Sequence, residues 1–370
     1  MRENAVSRFA LGKLQDCENL LLDKSAMTVA ERLDQISRLV TEISDHAKAG
    51  KTRGLRNGRE VYGEWFNEYE TRRTQPQAVA GLSTGITALD KLLGAKKLVK
   101  QSLAVIGARP KQGKTALFAT IATNCVINEK KPALLFSLEM SDKAIFERMF
   151  SQLGNVNSQV FYDDPAELEK VGISVDAELS KCVDAVGKLI KDDLLFIDDT
   201  PAVTMAHIRN ECRRIKRQKG EIGLIAVDYL TLMKTDKAER NDLAYGQLTK
   251  DLKNLAREMD CVVLLLTQLN RNLETRGDKR PLPSDSRDTG QIEQECDYWF
   301  GLYKEHTYNP QADPHLTEIL PRLNRHGITG KVYVEQRNGA IFNCDQMEAE
   351  RKAEIGKPEP KRKPYAKQEF

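Results

Sequence analysis

The 370-residue sequence predicts an α/β fold with a mostly parallel, twisted sheet, preceded by a small helical hairpin and a linker helix. Two observations carry that prediction. From Gly81 onward, apolar runs of strand length alternate with more polar segments of helix length. Each run is continuously apolar, as strands covered on both faces read, which is the pattern of a parallel sheet flanked by helices. Residues 1–50, by contrast, show helical spacing.

In chain order, Phe9 to Leu22 reads as a first helix and Asp23 to Met27 as a turn. Thr28 and Glu31 then make a capping-box pattern. Behind it Val29, Leu33, Ile36, Val40 and Ile43 recur at spacings of four and three, one apolar helix face. Two helices in residues 1–49 are too few to bury a good core alone, so this hairpin is expected to dock on something. Residues 50–80 read as a linker, polar from Gly50 to Arg59 and again from Arg72 to Ala80, which holds Pro76. Between these stretches Val61, Tyr62, Trp65, Phe66 and Tyr69 share one helical face. That face packs on its own domain or, given the linkers on either side, on a neighbouring subunit.

The expected strands are Leu103–Ile106, Ala133–Phe136, Leu194–Ile197, Leu224–Val227, Val262–Leu266 and Tyr298–Leu302. Helices are expected over Lys114–Asn128, Met205–Gln218 and Asp242–Met259. Thr317–Leu323 and Lys331–Gln336 read as an antiparallel hairpin at one sheet edge. The α/β domain is thus placed at residues 81–346. Residues 347–370, rich in Lys, Glu and Pro without periodicity, are expected to form a disordered basic tail.

Lys and Arg number 57 against 54 Asp and Glu, a net charge of +3. The last twenty residues carry +4 of it, leaving −1 for residues 1–350. Any nucleic-acid contact must therefore come from local patches rather than a global field. No apolar run reaches the ~18 residues of a membrane span, and the N-terminus lacks the apolar stretch of a secretory signal. The seven cysteines are scattered without metal-ligand spacing, which points to a reducing, cytoplasmic setting.

The strongest motif is Ala108-Arg109-Pro110-Lys111-Gln112-Gly113-Lys114-Thr115. It follows a strand and opens a helix, the context of a Walker A phosphate loop. Backbone N–H groups and the helix N-terminus form an anion nest. Lys114 neutralises the β and γ oxygens of ATP, and the Thr115 hydroxyl ligates Mg²⁺. Ala108 stands where the consensus has glycine, with Gly107 one residue early. Leu224-Ile225-Ala226-Val227-Asp228 reads as a Walker B strand presenting Asp228 to the metal. Glu139, after Leu134–Leu138, is expected on the strand next to the phosphate-loop strand, positioned to activate water. Gln268, at the end of another strand, is placed to contact the γ-phosphate and report its loss.

These residues, with Ser137-Leu138-Glu139-Met140, Asp228-Tyr229-Leu230, Gln268-Leu269-Asn270-Arg271, Arg280-Pro281 with Asp285, and Arg287-Asp288-Thr289-Gly290 before Ile292-Glu293-Gln294, closely resemble the DnaB-type replicative helicases. Gly81-Leu82-Ser83-Thr84-Gly85, followed by Leu89-Asp90, is similar to the start of that family's motor domain. The resemblance implies a RecA-like P-loop ATPase that assembles as a ring of six around single-stranded DNA, moves 5′→3′, and works with a primase and a helicase loader. It implies that Glu139 is the catalytic carboxylate, Gln268 the sensor, and Arg287, Asp288 and Gly290 the DNA contacts. The family's arginine finger lies in a Lys-Gln-Arg-Asn-Gly segment and reaches the next subunit's ATP. Arg325 keeps that position in Leu323-Asn324-Arg325-His326-Gly327, with Leu323 in place of the Lys and Arg322 one residue before it. Gln336-Arg337-Asn338-Gly339 is similar by letters but comes late in the spacing. Full members carry a larger N-terminal domain, of which only the hairpin is recognisable here. A short phage-encoded form or a truncated product would both account for this. Two other readings stand beside the helicase: a RecA/RadA/KaiC-like ATPase that does not unwind, and a helicase-like module that modulates a full-length ring.

Overall fold

The computed structural model describes residues 2–22, ten single positions between 28 and 43, and residues 55–75, 81–228, 241–286 and 290–355. The Asp23–Met27 turn, Tyr229 and Leu230, Arg287 to Thr289, and the tail from 356 lie outside the described residues. The chain groups into two units, Met1–Ala78 with Ala206–Asn210, and Val79–Met205 with Glu211–Phe370.

In the first unit, one helix runs from Arg2 to Leu22, seven residues earlier than its apolar pattern suggests. The described positions of the second arm, Val29, Leu33, Ile36, Val40 and Ile43 among them, are helical. Lys13 Nζ meets Glu42 Oε2 at 2.7 Å. The linker helix, Gly58–Thr74, is capped by Asn57, whose side chain accepts the Glu60 N–H at 3.0 Å and donates to Glu60 Oε1 at 3.2 Å. Tyr62, Trp65, Phe66 and Tyr69 form a ladder of rings along one face, and no residue of this helix is buried in the single chain.

The second unit opens with a short ribbon, β1 (Gly81–Leu82) antiparallel to β2 (Leu98–Val99). Between them the Asp90 carboxylate accepts the Thr84 N–H at 2.9 Å, the Thr84 hydroxyl at 2.7 Å and the Ser83 hydroxyl at 2.6 Å. That is the physical content of the Gly-Leu-Ser-Thr-Gly motif and its following Leu-Asp.

The main sheet has nine strands: β3 (Leu103–Ala108), β4 (Ala133–Ser137), β5 (Leu195–Asp198), β6 (Leu224–Asp228), β7 (Val262–Gln268), β8 (Tyr298–Tyr303), β9 (Leu316–Asn324), β10 (Val332–Arg337) and β11 (Ala340–Asn343). Their spatial order is β11-β10-β9-β8-β3-β7-β6-β4-β5. The run from β8 to β5 is parallel, and β9, β10 and β11 join by antiparallel pairings. The expected edge hairpin is present and is extended by β11, across the two-residue turn Asn338-Gly339 with both φ positive (51° and 73°), as a tight hairpin requires.

The central strands β3, β6 and β7 are buried along nearly their whole length. The helix Lys114–Ile127 packs on them with Leu117, Phe118 and Ile121 at 0% exposure. Burial of each such side chain is worth ~1.5–3 kcal/mol. The first part of the expected disordered tail is instead a helix, Gln346–Glu354. Asp345 caps it, and Ala349 is buried in a small cluster with Leu316 and Tyr333. One small residue on an otherwise charged helix leaves too faint an apolar stripe to read locally. No helix among the described residues is long and apolar enough to cross a membrane.

Candidate active site

The phosphate loop leaves β3 at Ala108 and enters its helix at Lys114. Lys111 (φ 64°) and Gly113 (φ 95°) turn it. At Gly113 glycine is favoured by that φ, and a Cβ there would stand 2.8 Å from Gln336 Oε1, so the Gln336 amide packs against the open face of the loop. The early Gly107 has a different cause. A Cβ there would lie 2.5 Å from Trp299 Cζ2, so glycine is needed for packing beneath the loop. Ala108 is buried in the strand, in register with Gln268.

Two side chains of the loop are turned to structural work. Arg109 donates to Glu274 Oε1 at 2.8 Å and to the Leu269 carbonyl at 2.9 Å. Gln112, expected at the nucleotide, is buried and faces the other way. Its Oε1 accepts the Lys304 N–H at 2.6 Å, and its Nε2 donates to Thr307 Oγ1 at 3.3 Å. An uncharged amide beside a strand end finds backbone partners, and only its own main chain remains for a ligand. Burial lowers the Lys304 ammonium pKa from its usual value.

The carboxylates converge on Lys114. Its Nζ lies 2.9 Å from Asp228 Oδ1 and 3.8 Å from Glu139 Oε2. Asp228 is fully buried, and Glu139 is half exposed, facing the cleft. The strand that leads to Glu139 is not the neighbour of the phosphate-loop strand, as the sequence suggested: β7 and β6 stand between β3 and β4. Glu139 still arrives because the chain after β4 leans over β6, where Leu138 N–H donates to the Asp228 carbonyl at 2.7 Å. The long Lys114 side chain spans the rest. Gln268 ends β7 between these groups and lines the same cleft.

That cleft has a volume of ≈ 380 Å³. Its walls include the loop from Ala108 to Thr115 without Gln112, together with Glu139 and Gln268. Ala116, Arg148, Gln336 and Gly339 also line it, none of them expected at the nucleotide from the sequence, where Gln336 and Gly339 entered only as part of a finger-like segment. Arg148 sits three residues after the buried Ile145, a helical spacing visible in the sequence. Gln336 and Gly339 come from a hairpin whose position over the loop depends on strand order alone.

The donor set fits a Mg²⁺ ion. Both Asp228 oxygens are buried, and apart from the Lys114 ion pair they have no polar partner among the described residues. With the Thr115 hydroxyl they offer hard oxygen ligands next to the phosphate position. Mg²⁺ in such sites takes few protein ligands and completes its shell with phosphate and water, consistent with the lack of an all-protein cage of acidic or His/Cys groups among the described residues.

A sequence profile described as the DnaB-like helicase C-terminal domain matches residues 81–341. The chain belongs to the DnaB-like helicase family. It is similar to the replicative DNA helicase DnaB of Pasteurella multocida, 31% identical over 356 residues, 95% of this chain and 74% of that protein. The Geobacillus stearothermophilus protein of the same name is 32% identical, over 81% of this chain and 63% of that one. The Haemophilus influenzae protein is 35% identical, over 74% and 57%. The chain therefore spans between 57% and 74% of the length of these relatives. A solved DnaB-like replicative helicase, studied with its interactions with primase, superposes with a TM-score of 0.73 at 26% identity, over 93% of this chain and 77% of that one. A separately solved ATPase domain is covered along 100% of its length, at 28% identity and a TM-score of 0.69. The members of this family are ATP-dependent replicative DNA helicases with a RecA-like core.

Against this DnaB-like frame the two arginine candidates occupy opposite ends of the sheet. β9 runs antiparallel to β8, so Asn324 pairs with Tyr298 at the start of β8. Arg325 N–H donates to the Asp297 carbonyl at 2.9 Å, and its guanidinium donates to the Gln294 carbonyl. The phosphate loop lies at the far end of β3, about 17 Å away at ~3.3 Å per residue. Arg325 thus stays outside its own cleft. Arg337, at the end of β10, lies at the cleft edge, beside Gln336, where it pairs with Glu335 at 3.2 Å and covers the Phe342 ring. Arg322 sits at an irregularity in the β8–β9 ladder and donates to the Pro281 carbonyl at 3.3 Å.

Of the expected DNA contacts, Arg287 and Asp288 lie outside the described residues, and Gly290 opens the short helix Gly290–Glu295. The approach to them is braced. Leu269 bridges Ser286, Arg276 holds Asp285 by two bonds of 3.0 and 2.8 Å, and Trp299 Nε1 donates to Ser286 Oγ at 3.1 Å. Arg280 forks onto Glu318 with two 2.7 Å bonds, and that carboxylate raises the guanidinium pKa.

Proposed function

We propose that this chain forms a homo-hexameric ring that hydrolyses ATP, moves 5′→3′ on single-stranded DNA and unwinds duplex during replication in the cytoplasm of a bacterial cell. The single observation that carries the proposal is the split of the charged groups. Lys114, Asp228, Glu139 and Gln268 meet in one cleft, and Arg325 lies a strand's length from it. With its general base in the cleft and Arg325 outside it, the site is completed by the Arg325 of an adjoining copy.

In this reading the loop N–H groups and Lys114 hold the β- and γ-phosphates. Lys114 leaves Asp228 for the phosphate oxygens when the nucleotide arrives. Thr115 and Asp228 would hold Mg²⁺, which supplies positive charge to the β- and γ-oxygens. Glu139 takes a proton from the water that attacks the γ-phosphorus, while the β–γ bridging oxygen leaves with its electron pair. Gln268 follows the γ-phosphate, and Arg325 from the adjoining copy neutralises charge in the transition state, a contribution of ~10³–10⁵ in rate. Gln268 is joined to Ser286 through Leu269, so loss of the γ-phosphate is transmitted toward Arg287, Asp288 and Gly290 at the DNA backbone. A relative's recorded interaction with primase supports a primase partner, and a loader is expected to place the ring on DNA.

Mixing Arg325→Ala subunits with Lys114→Ala subunits tests the seam. Each variant alone is inactive, and the mixture recovers part of the ATPase, because Lys114→Ala subunits still offer Arg325 to intact clefts. No recovery in a mixture shown to co-assemble refutes the shared site. A fork with only a 5′ tail is unwound and one with only a 3′ tail is not. Hydrolysis stimulated by DNA without unwinding of either fork would instead favour the non-unwinding ATPase.

A further inference from the structure

The turn that carries Arg325 hangs on a buried ion pair at the opposite end of the sheet from the cleft. Lys253 lies on the helix Asn241–Met259, among the buried Leu252, Leu255 and Ala256. Its ammonium pairs with the Asp297 carboxylate, both groups being buried, and donates to the Gln101 carbonyl at 3.0 Å. Asp297 immediately precedes β8 and lies level with Leu103, where β3 begins. Its carboxylate accepts the Leu103 N–H at 2.8 Å, and its own N–H donates to the Leu103 carbonyl at 2.9 Å. Its carbonyl accepts the Arg325 N–H at 2.9 Å. One residue therefore fastens the start of β3, the strand that leads into the phosphate loop, to the turn that holds Arg325.

The same turn is braced on either side of Arg325. The Asn324 side chain accepts the His326 N–H at 2.9 Å and donates to the Ile328 carbonyl at 2.9 Å. The His326 ring centres 5.4 Å from the ring of Tyr298, whose hydroxyl donates to the Lys97 carbonyl at 3.0 Å. The backbone at Arg325 is thus fixed, while its guanidinium, on the Gln294 carbonyl, is exposed. Burying a charge pair is costly, and apolar residues of similar volume often stabilise a fold as well or better. What Lys253 and Asp297 supply that apolar side chains cannot is a set of donors and acceptors of fixed direction.

We propose that Asp297, with Lys253 as its counter-ion, is a positioning residue for the arginine finger, setting Arg325 against the ATP of the adjoining copy. This rests on the reading of Arg325 as a finger supplied in trans. β3 then carries the phosphate loop at one end and the lent finger at the other. A subunit's own cleft and the neighbouring cleft that it serves are held at a fixed separation by one buried strand. Neither Asp297 nor Lys253 touches nucleotide, and both act through Arg325. Their loss therefore falls on the turnover of the neighbour and leaves nucleotide binding in their own subunit intact.

The test is subunit complementation with the full chain, using a double variant, Asp297→Leu with Lys253→Met, and the conservative Asp297→Asn. The double variant replaces the pair by apolar side chains, strands no charge and is expected to melt with the wild type. Misplacing a catalytic group by about 1 Å costs on the order of 10²-fold, so kcat of the double variant should fall by about that factor. Its ADP affinity, which reports its own cleft, stays at the wild-type value, and Asp297→Asn loses less. Mixed with Lys114→Ala subunits, which lend an intact finger, the double variant regains ATPase activity. Mixed with Arg325→Ala subunits it does not, because neither kind lends a finger in place. Recovery with Arg325→Ala subunits puts the defect in the variant's own cleft and overturns the proposal. No recovery with either partner, in rings shown to co-assemble, makes the pair a general support of the fold and also overturns it, as does wild-type turnover by the double variant alone. An Arg325→Ala protein that hydrolyses ATP like the wild type removes the finger itself, and this proposal with it.

Discussion

Lys114→Ala should destabilise the nucleotide-free protein, even though the residue's proposed task is to bind ATP. Asp228 is fully buried, and the Lys114 side chain is 12% exposed, with 2.9 Å between their charges. At an effective dielectric of about 20, a pair this close attracts by ~6 kcal/mol before desolvation is counted. Removing one partner of a buried pair costs about 3–5 kcal/mol, because the remaining charge stays buried. The cleft admits water near the pair, which places the expectation at the low end, about 3 kcal/mol. For an α/β domain of this size that is a fall in Tm of roughly 6 °C. Adding Asp228→Asn to Lys114→Ala removes the stranded charge and should recover most of the loss. The coupling between the two substitutions is then ~2–3 kcal/mol. Calorimetric melting of the wild type, both single variants and the double variant, without nucleotide, measures it. A Lys114→Ala protein that melts with the wild type, or a double variant no more stable than Lys114→Ala, would refute the argument that Lys114 neutralises Asp228 while the site waits for ATP.

Glu139→Gln should keep nucleotide affinity, since Glu139 lies beyond the phosphate loop, and lower DNA-stimulated turnover by ~10²–10⁴, the usual worth of a general base. Steady-state ATPase with a parallel ADP titration checks both halves, and undiminished turnover would remove Glu139 as the base. Gly107→Ala places a Cβ 2.5 Å from Trp299 Cζ2 and 2.8 Å from Leu269 Cδ2. Overpacking of a filled core costs ~1–3 kcal/mol, read as a lower Tm, and weaker ADP binding should accompany it as the phosphate loop is displaced. The substitution Trp299→Phe in the same protein should relieve part of that loss by opening space under the loop.

Much of this site is legible in the sequence because its chemistry is local. A phosphate loop is a strand, a turn and a helix start within a dozen residues, so Lys114 and Thr115 are placed by their neighbours. Asp228 follows from four apolar residues before it, because a strand buried on both faces must be apolar until it reaches the sheet edge. The hairpin around Thr317–Leu323 and Lys331–Gln336 was visible for the same reason. Gln112 shows the limit of that logic. Its place in the motif is right, yet its amide turns to Lys304 and Thr307, residues nearly two hundred positions away in the chain.

The sequence by itself pointed to the phosphate loop and to Asp228, Glu139 and Gln268 at or just beyond the ends of buried parallel strands. Only the tertiary structure decided the order of those strands. It put β7 and β6 between β3 and β4, set Arg325 and Arg337 at opposite ends of the sheet, and brought Arg148 and Gln336 to the cleft. The physical reason is that periodicity records which face of an element is buried, and any strand of similar apolar content satisfies that record. Which strand pairs with which is settled by hydrogen bonds and side-chain packing between distant segments, and those energies appear only once the chain has closed on itself.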